Sequence, residues 1–161
     1  MTTEDRSQIR TTIPLAALLP GLGGLIPFWL LALAVVLPIG IPPVIALVGF
    51  ITYGAVILSF VGAIWWGLAA ANPGPAAGLN GPRAMMFLWS VTPALIGWLA
   101  TLVAADLGVL LLAAGFLLQW GFDAVLTNRA PELMPPWVFR LRTLLTAGVL
   151  LAMTVAWWLL V

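Results

Sequence analysis

The sequence predicts an all-α membrane protein, a five-transmembrane-helix bundle with its N-terminus cytoplasmic and its C-terminus outside. Three observations predict it: apolar runs of about 20 residues that recur along the chain, too few charges to coat a water-soluble globule, and arginines that fall on alternate loops. Of 161 residues, 63% are hydrophobic and 7% charged, and the mean hydropathy is +1.17. Lipid is therefore the solvent that most of these side chains require.

The first run covers 13–37 and follows Glu4 and Asp5 beside Arg6 and Arg10. It is too long for a signal-peptide core, and the acids argue against a transit peptide, so it reads as a retained helix. Pro20 and Pro27, with Gly21, Gly23 and Gly24, mark it as the most irregular of the spans. Each internal proline removes one backbone hydrogen bond and frees the carbonyl four residues earlier; Pro14 is harmless in a first turn. The second run, 44–70, follows a Pro-rich turn at 38–43. The third, 84–105, contains Pro93, which should kink it. The fourth, 107–126, is entered through Asp106, which reads as its N-cap. The fifth is 139–161.

The turn at 38–43 and the Ala105-Asp106 corner are short, so spans one and two, and spans three and four, form tight antiparallel hairpins. The segments 72–83 and 127–138 are longer and carry NPGP, NGP and MPP turn signals. With the N-terminus inside, Arg6, Arg10, Arg83, Arg129, Arg140 and Arg142 all lie on the cytoplasmic side and the outer loops hold none. No domain boundary or internal repeat interrupts 1–161, which reads as one integral membrane domain. The expected location is a bacterial inner (cytoplasmic) membrane, crossed several times; the lack of lysine fits a GC-rich genome.

Neither cysteine nor histidine is present. Disulfides, thiol chemistry, Cys/His metal sites and imidazole catalysis are thereby excluded, and no cofactor is expected. A net charge of +1 without lysine provides no nucleic-acid footprint and no polybasic lipid-binding run. The expected partners are the lipid bilayer and either a membrane protein or a second copy of the chain.

Stripes of small residues mark where helices approach closely in lipid: Ala55, Ser59, Ala63 and Gly67 on the second span; Pro93, Gly97, Thr101 and Ala105 on the third; Gly148, Ala152 and Ala156 on the fifth. Counting 1.5 Å per residue puts Trp65 and Trp66 about 32 Å along their span, in the interfacial belt where tryptophan is common. Trp29, Trp137, Trp157 and Trp158 read the same way, whereas Trp98 and Trp120 lie deeper and are candidates for a pocket wall. On the fourth span Gly115, Gln119 and Asp123 share one face. Asp123 falls near the C-terminal end of its helix, the unfavourable end of the macrodipole for a carboxylate. A structural ion pair with Arg83, Arg140 or Arg142 is expected to hold it. The ligand-binding candidates are Tyr53, Ser59, Trp98, Gln119 and Asp123, provided that they converge on one cavity; no catalytic residue is expected.

The segments YGAVILSFVGAIWWG (53–67), WSVTPALIGWLA (89–100), GFLLQWGFD (115–123) and GLGGLIPFW (21–29) together resemble the domain-of-unknown-function family 3429, the transmembrane protein 69-like proteins. The resemblance covers nearly the whole chain and implies a small multi-helix membrane protein with no activity to carry over. The chain departs from the family pattern at Trp65, where many relatives carry a basic residue, His or Arg, just before the W-G pair. A looser similarity, to the tryptophan-rich sensory (translocator) proteins, rests on helix number, nine tryptophans and PPWVF at 135–139; that motif precedes the second helix in those proteins and the last span here.

The function expected from this poverty of chemistry is that of a non-enzymatic structural, accessory or assembly component of the inner membrane. The alternative is a binder or carrier of a hydrophobic small molecule: a lipid, a quinone or a tetrapyrrole. A transporter would need an inverted repeat, which the sequence lacks, and more than its few intramembrane ionisable groups, and an enzyme would need a catalytic partner for Asp123.

Overall fold

The five predicted spans are all helical, and the first is broken in two. A computed structural model describes residues 12–71, 82–129 and 133–158. Expectations on Glu4, Asp5, Arg6, Arg10, the turns at 72–81, residues 130–132 and the last three residues lie outside these. Among the described residues the order is α1 (Leu15–Gly23), α2 (Leu25–Ala34), α3 (Pro43–Ala71), α4 (Pro82–Ala100), α5 (Ala105–Arg129) and α6 (Pro136–Trp158), with no strand. With α1 and α2 taken together, five segments are long and apolar enough to cross a membrane. The protein is a multi-pass membrane protein.

The break in the first span comes at Gly24, not at a proline. Its N–H donates to both Pro20 O (3.0 Å) and Gly21 O (3.1 Å), the tightened geometry typical of a helix terminus. Pro20 stays inside α1 and Pro93 inside α4. Pro14 is the N-cap of α1, its carbonyl accepting from Ala17 and Leu18 at 2.9 Å.

Other boundaries move for local reasons. α4 ends at Ala100 rather than 105, because Thr101 N–H and Leu102 N–H turn back to Trp98 O and Leu99 O at 3.0 Å. α5 begins at Ala105, so Asp106 lies within its first turn and is not the N-cap; there it still favours the positive end of the macrodipole. α5 runs on to Arg129, which makes 127–129 helical rather than loop. α6 starts at Pro136, a residue suited to a first turn because its missing N–H has no intrahelical partner there. The 29 residues of α3 rise about 43 Å, more than a hydrocarbon core of about 30 Å, so this helix tilts or emerges from it.

The helices close into a ring. The α1/α2 pair packs on α3, α3 on α4, α4 on α5, α5 on α6, and α6 returns to α1/α2, while α3 and α5 also touch across the middle. Glycines allow that close crossing. A Cβ on Gly54 would lie 2.8 Å from Leu112 Cδ1, and one on Gly115 would lie 2.6 Å from Leu58 Cδ2. The main core gathers there, around Phe28, Phe50, Leu58, Leu112, Phe116 and Met153. A second cluster, Trp65, Ala69, Met86 and Met134, fills the end of the bundle nearer Arg142.

Candidate functional site

Asp123 is the only acid among the described residues that is buried, at 1% exposure. Period-3.6 geometry places Gln119 one turn before it on the same face of α5, also 1% exposed. An isolated carboxylate in such a place would be prohibitively unfavourable, so its partners define the site. Trp65 Nε1 on α3 donates to Asp123 Oδ1 at 2.7 Å. Gln119 Nε2 donates to the same oxygen at 2.8 Å. Arg142 on α6 adds its guanidinium, Nε to Oδ2 at 3.0 Å and Nη1 to Oδ1 at 3.1 Å. The Arg142 Nη2 group then reaches α3, donating to Val61 O at 2.7 Å. Trp89 Nε1 on α4 donates to Gln119 Oε1 at 3.0 Å.

One neutral network thus joins α3, α4, α5 and α6. Phe122 lines its aromatic side, stacked on Trp89 with centroids 4.4 Å apart and edge-on to Trp65 at 5.6 Å. The carboxylate accepts four N–H groups, three on Oδ1 and one on Oδ2. Chemically the arrangement is a clamp: it neutralises a buried charge between helices. Among the described residues there is no cluster of three or more potential metal ligands.

Several sequence expectations need correction here. Trp65 is not an interfacial anchor: it is fully buried, whereas its neighbour Trp66 is 52% exposed. Trp98 does not wall a pocket; it is 58% exposed on the outer surface. Trp120 is exposed as well, and its Nε1 donates to Thr143 Oγ1 at 3.0 Å on the outside of α5 and α6. Of the stripe on the second span, Ala55 packs, with Gly97 so close that an added Cβ would lie 3.0 Å from Ala55 Cα. Ala63 is exposed, and Gly67 has nothing within 4 Å of where a Cβ would sit, so neither is a packing residue. The small residues that do pack are offset: Gly54, and Gly62, where an added Cβ would lie 2.7 Å from Pro93 Cγ. Thr101 lies beyond α4, exposed, its hydroxyl donating to Trp98 O at 2.7 Å. Gly148 packs on Leu25, and Ala152 and Ala156 are fully buried.

The five ligand candidates do not converge. Gln119 and Asp123 share the network. The Tyr53 hydroxyl donates to Gly24 O at 2.9 Å, at the α1/α2 break, and the Ser59 hydroxyl donates back to Ala55 O at 2.7 Å on its own helix. The ion pair with Asp123 is made by Arg142; Arg83 donates to Ala69 O at 2.8 Å and lies over the Phe87 ring, and Arg140 is exposed. Trp65, Trp89 and the Val61 carbonyl escape a reading of polar residues alone. The usable signal was the face Gly54, Leu58, Gly62, Trp65, Ala69 at helical spacing.

Beside the network lies a cavity of about 140 Å³ between α1/α2, α3, α5 and α6. Phe28, Phe116, Gln119 and Arg142 are among its buried walls, and Pro20 and Phe60 are exposed where it opens sideways.

Comparison with known proteins places this architecture. Residues 13–158 match the model of a family described as proteins of unknown function, DUF3429. Transmembrane protein 69 of Xenopus tropicalis is 34% identical over 135 residues, a match covering 83% of this chain and 50% of that protein. The chain thus spans about half the length of that curated relative. No solved structure matches. Matched over all of its described helices, the chain belongs to the DUF3429 family of membrane proteins of unknown function.

Proposed function

We infer that this protein is a non-enzymatic component of its membrane, a structural, accessory or assembly partner acting through helix packing and its loops. One observation carries the reading: the buried acid and its cationic partner close on each other and on the Trp65 indole, and Gln119 links them to a second indole, Trp89. Polar chemistry that could serve a reaction is engaged in joining four helices. The arginine distribution supports an N-terminus inside and a C-terminus outside, in a bacterial inner membrane; the Xenopus relative belongs to a eukaryote. The partner is a membrane protein or a second copy of the chain. Affinity purification of the full chain in gentle detergent tests this: a stoichiometric membrane partner or a homo-oligomer is expected, and a monodisperse monomer under several growth conditions would sink it.

A second reading is favoured by the side-opening cavity. On that reading the chain binds a hydrophobic small molecule that enters from the bilayer. Saturable stabilisation of the purified protein by such a molecule is the expected result.

A further inference from the structure

We propose that the cavity between α1/α2, α3, α5 and α6 binds a neutral, ring-sized apolar molecule that carries a carbonyl oxygen, of the benzoquinone class. This rests on the second reading above and names its ligand chemistry. The volume is the first argument: about 140 Å³ is close to that of a dry apolar cavity that accepts a benzene ring. The walls are the second, since Phe28, Phe60 and Phe116 all line it and aromatic side chains favour edge or offset contact with another ring.

The polar groups decide the rest. Arg142 and Thr146 lie one turn apart on the cavity face of α6. The guanidinium stands at the Val61 wall, because Nη2 bonds the Val61 carbonyl. Asp123 and Val61 engage three of its N–H groups, and a guanidinium has five. Two donors are therefore left over among the described residues. Thr146 is unusual on its helix: Thr143 and Thr154 donate to the carbonyl four residues back, yet the Thr146 hydroxyl has no hydrogen bond among the described residues. In a membrane interior such donors seek an acceptor. The acceptor should be neutral, because Asp123 already balances the arginine charge and a carboxylate or phosphate would gain little net attraction. The opening past Pro20 and Phe60 leaves room for an apolar tail to pass into the bilayer.

The test uses the full chain in maltoside micelles, titrated with 2-decyl-1,4-benzoquinone and, separately, with decylbenzene, which has a six-membered ring of similar size and the same tail without the carbonyl oxygens. Binding is read from the concentration dependence of thermal stability. Saturable binding of the quinone, about tenfold tighter than decylbenzene, is expected, since one or two hydrogen bonds separate the probes. Thr146→Val should weaken the quinone by about 3–10-fold and leave decylbenzene unchanged. Ile57→Trp should remove binding of both by filling the space, with helicity retained by circular dichroism. Equal affinities for the two probes would overturn the carbonyl inference while supporting a binder of apolar molecules. Absence of saturable binding by either probe would overturn both. Displacement of the quinone by phosphatidylglycerol would assign the cavity to a lipid and overturn the proposal.

Discussion

Arg142 meets Asp123 side-on, with Nε 3.0 Å from Oδ2 and Nη1 3.1 Å from Oδ1, and the two side chains are 8% and 1% exposed. The pair ties α6 to α5, and its remaining contacts reach α3. Removing one partner leaves an uncompensated charge in the bundle. Arg142→Gln should therefore destabilise the protein by about 3–5 kcal/mol, whereas Arg140→Gln, at an exposed position, should change stability by less than about 1 kcal/mol. Thermal unfolding in detergent would measure both. Equal effects of the two substitutions would show that the Asp123 pair is not a structural clamp.

Adjacent tryptophans provide a contrast within one turn. Trp65 donates to the carboxylate at 2.7 Å from a fully buried position, while Trp66 is half exposed and edge-on to Phe87. Trp65→Phe leaves the Asp123 oxygen short of a donor and should cost about 1–3 kcal/mol. Trp66→Phe should stay within about 0.5 kcal/mol. Denaturation midpoints compared in the same detergent would decide; a larger loss at position 66 contradicts the assignment.

Helix crossing makes the glycines unequal. Gly115 is tightly covered, with Leu58 Cδ2 2.6 Å and Ile96 Cγ2 3.0 Å from where a Cβ would sit, while Gly67 is open. Gly115→Leu is expected to destabilise by about 1–3 kcal/mol or more through overpacking. Gly67→Ala should stabilise by about 0.5–1 kcal/mol through helix propensity. Stability measurements in the opposite order would refute the packing of α3 against α5.

The Tyr53 hydroxyl holds the α1/α2 break by its bond to Gly24 O. Tyr53→Phe should cost about 0.5–1.5 kcal/mol and speed amide exchange at the break, where Gly24 N–H turns back on Pro20 and Gly21. Unaltered exchange there would mean that the break is set by the local chain alone.

The proposed orientation is testable because the chain has no cysteine of its own. Ile39→Cys and Ala104→Cys, in the two short turns, should react with a membrane-impermeant maleimide added to intact bacteria expressing the chain. Leu133→Cys should react only after lysis. Reversed labelling would invert the topology inferred from the arginines.

How many times the chain crosses, roughly where, and the irregularity of the first span were legible in the order of residues alone. Those properties are one-dimensional: a run of apolar residues long enough to cross lipid must become helix, since no water is available to satisfy an open backbone. Position along a helix was legible for the same reason, because rise per residue is constant. Direction was not. In a soluble helix the apolar stripe marks the buried side, but in lipid both sides are apolar, and Trp65 and Trp98 look alike until their neighbours are placed. It takes the packed bundle to turn Trp65 inward to Asp123 and Trp98 outward, to make Gly54, Gly62 and Gly115 the contact glycines, and to select Arg142 as the partner of Asp123. The order in which helices close the ring fixes those facings, and that order arises from contacts between segments far apart in the chain.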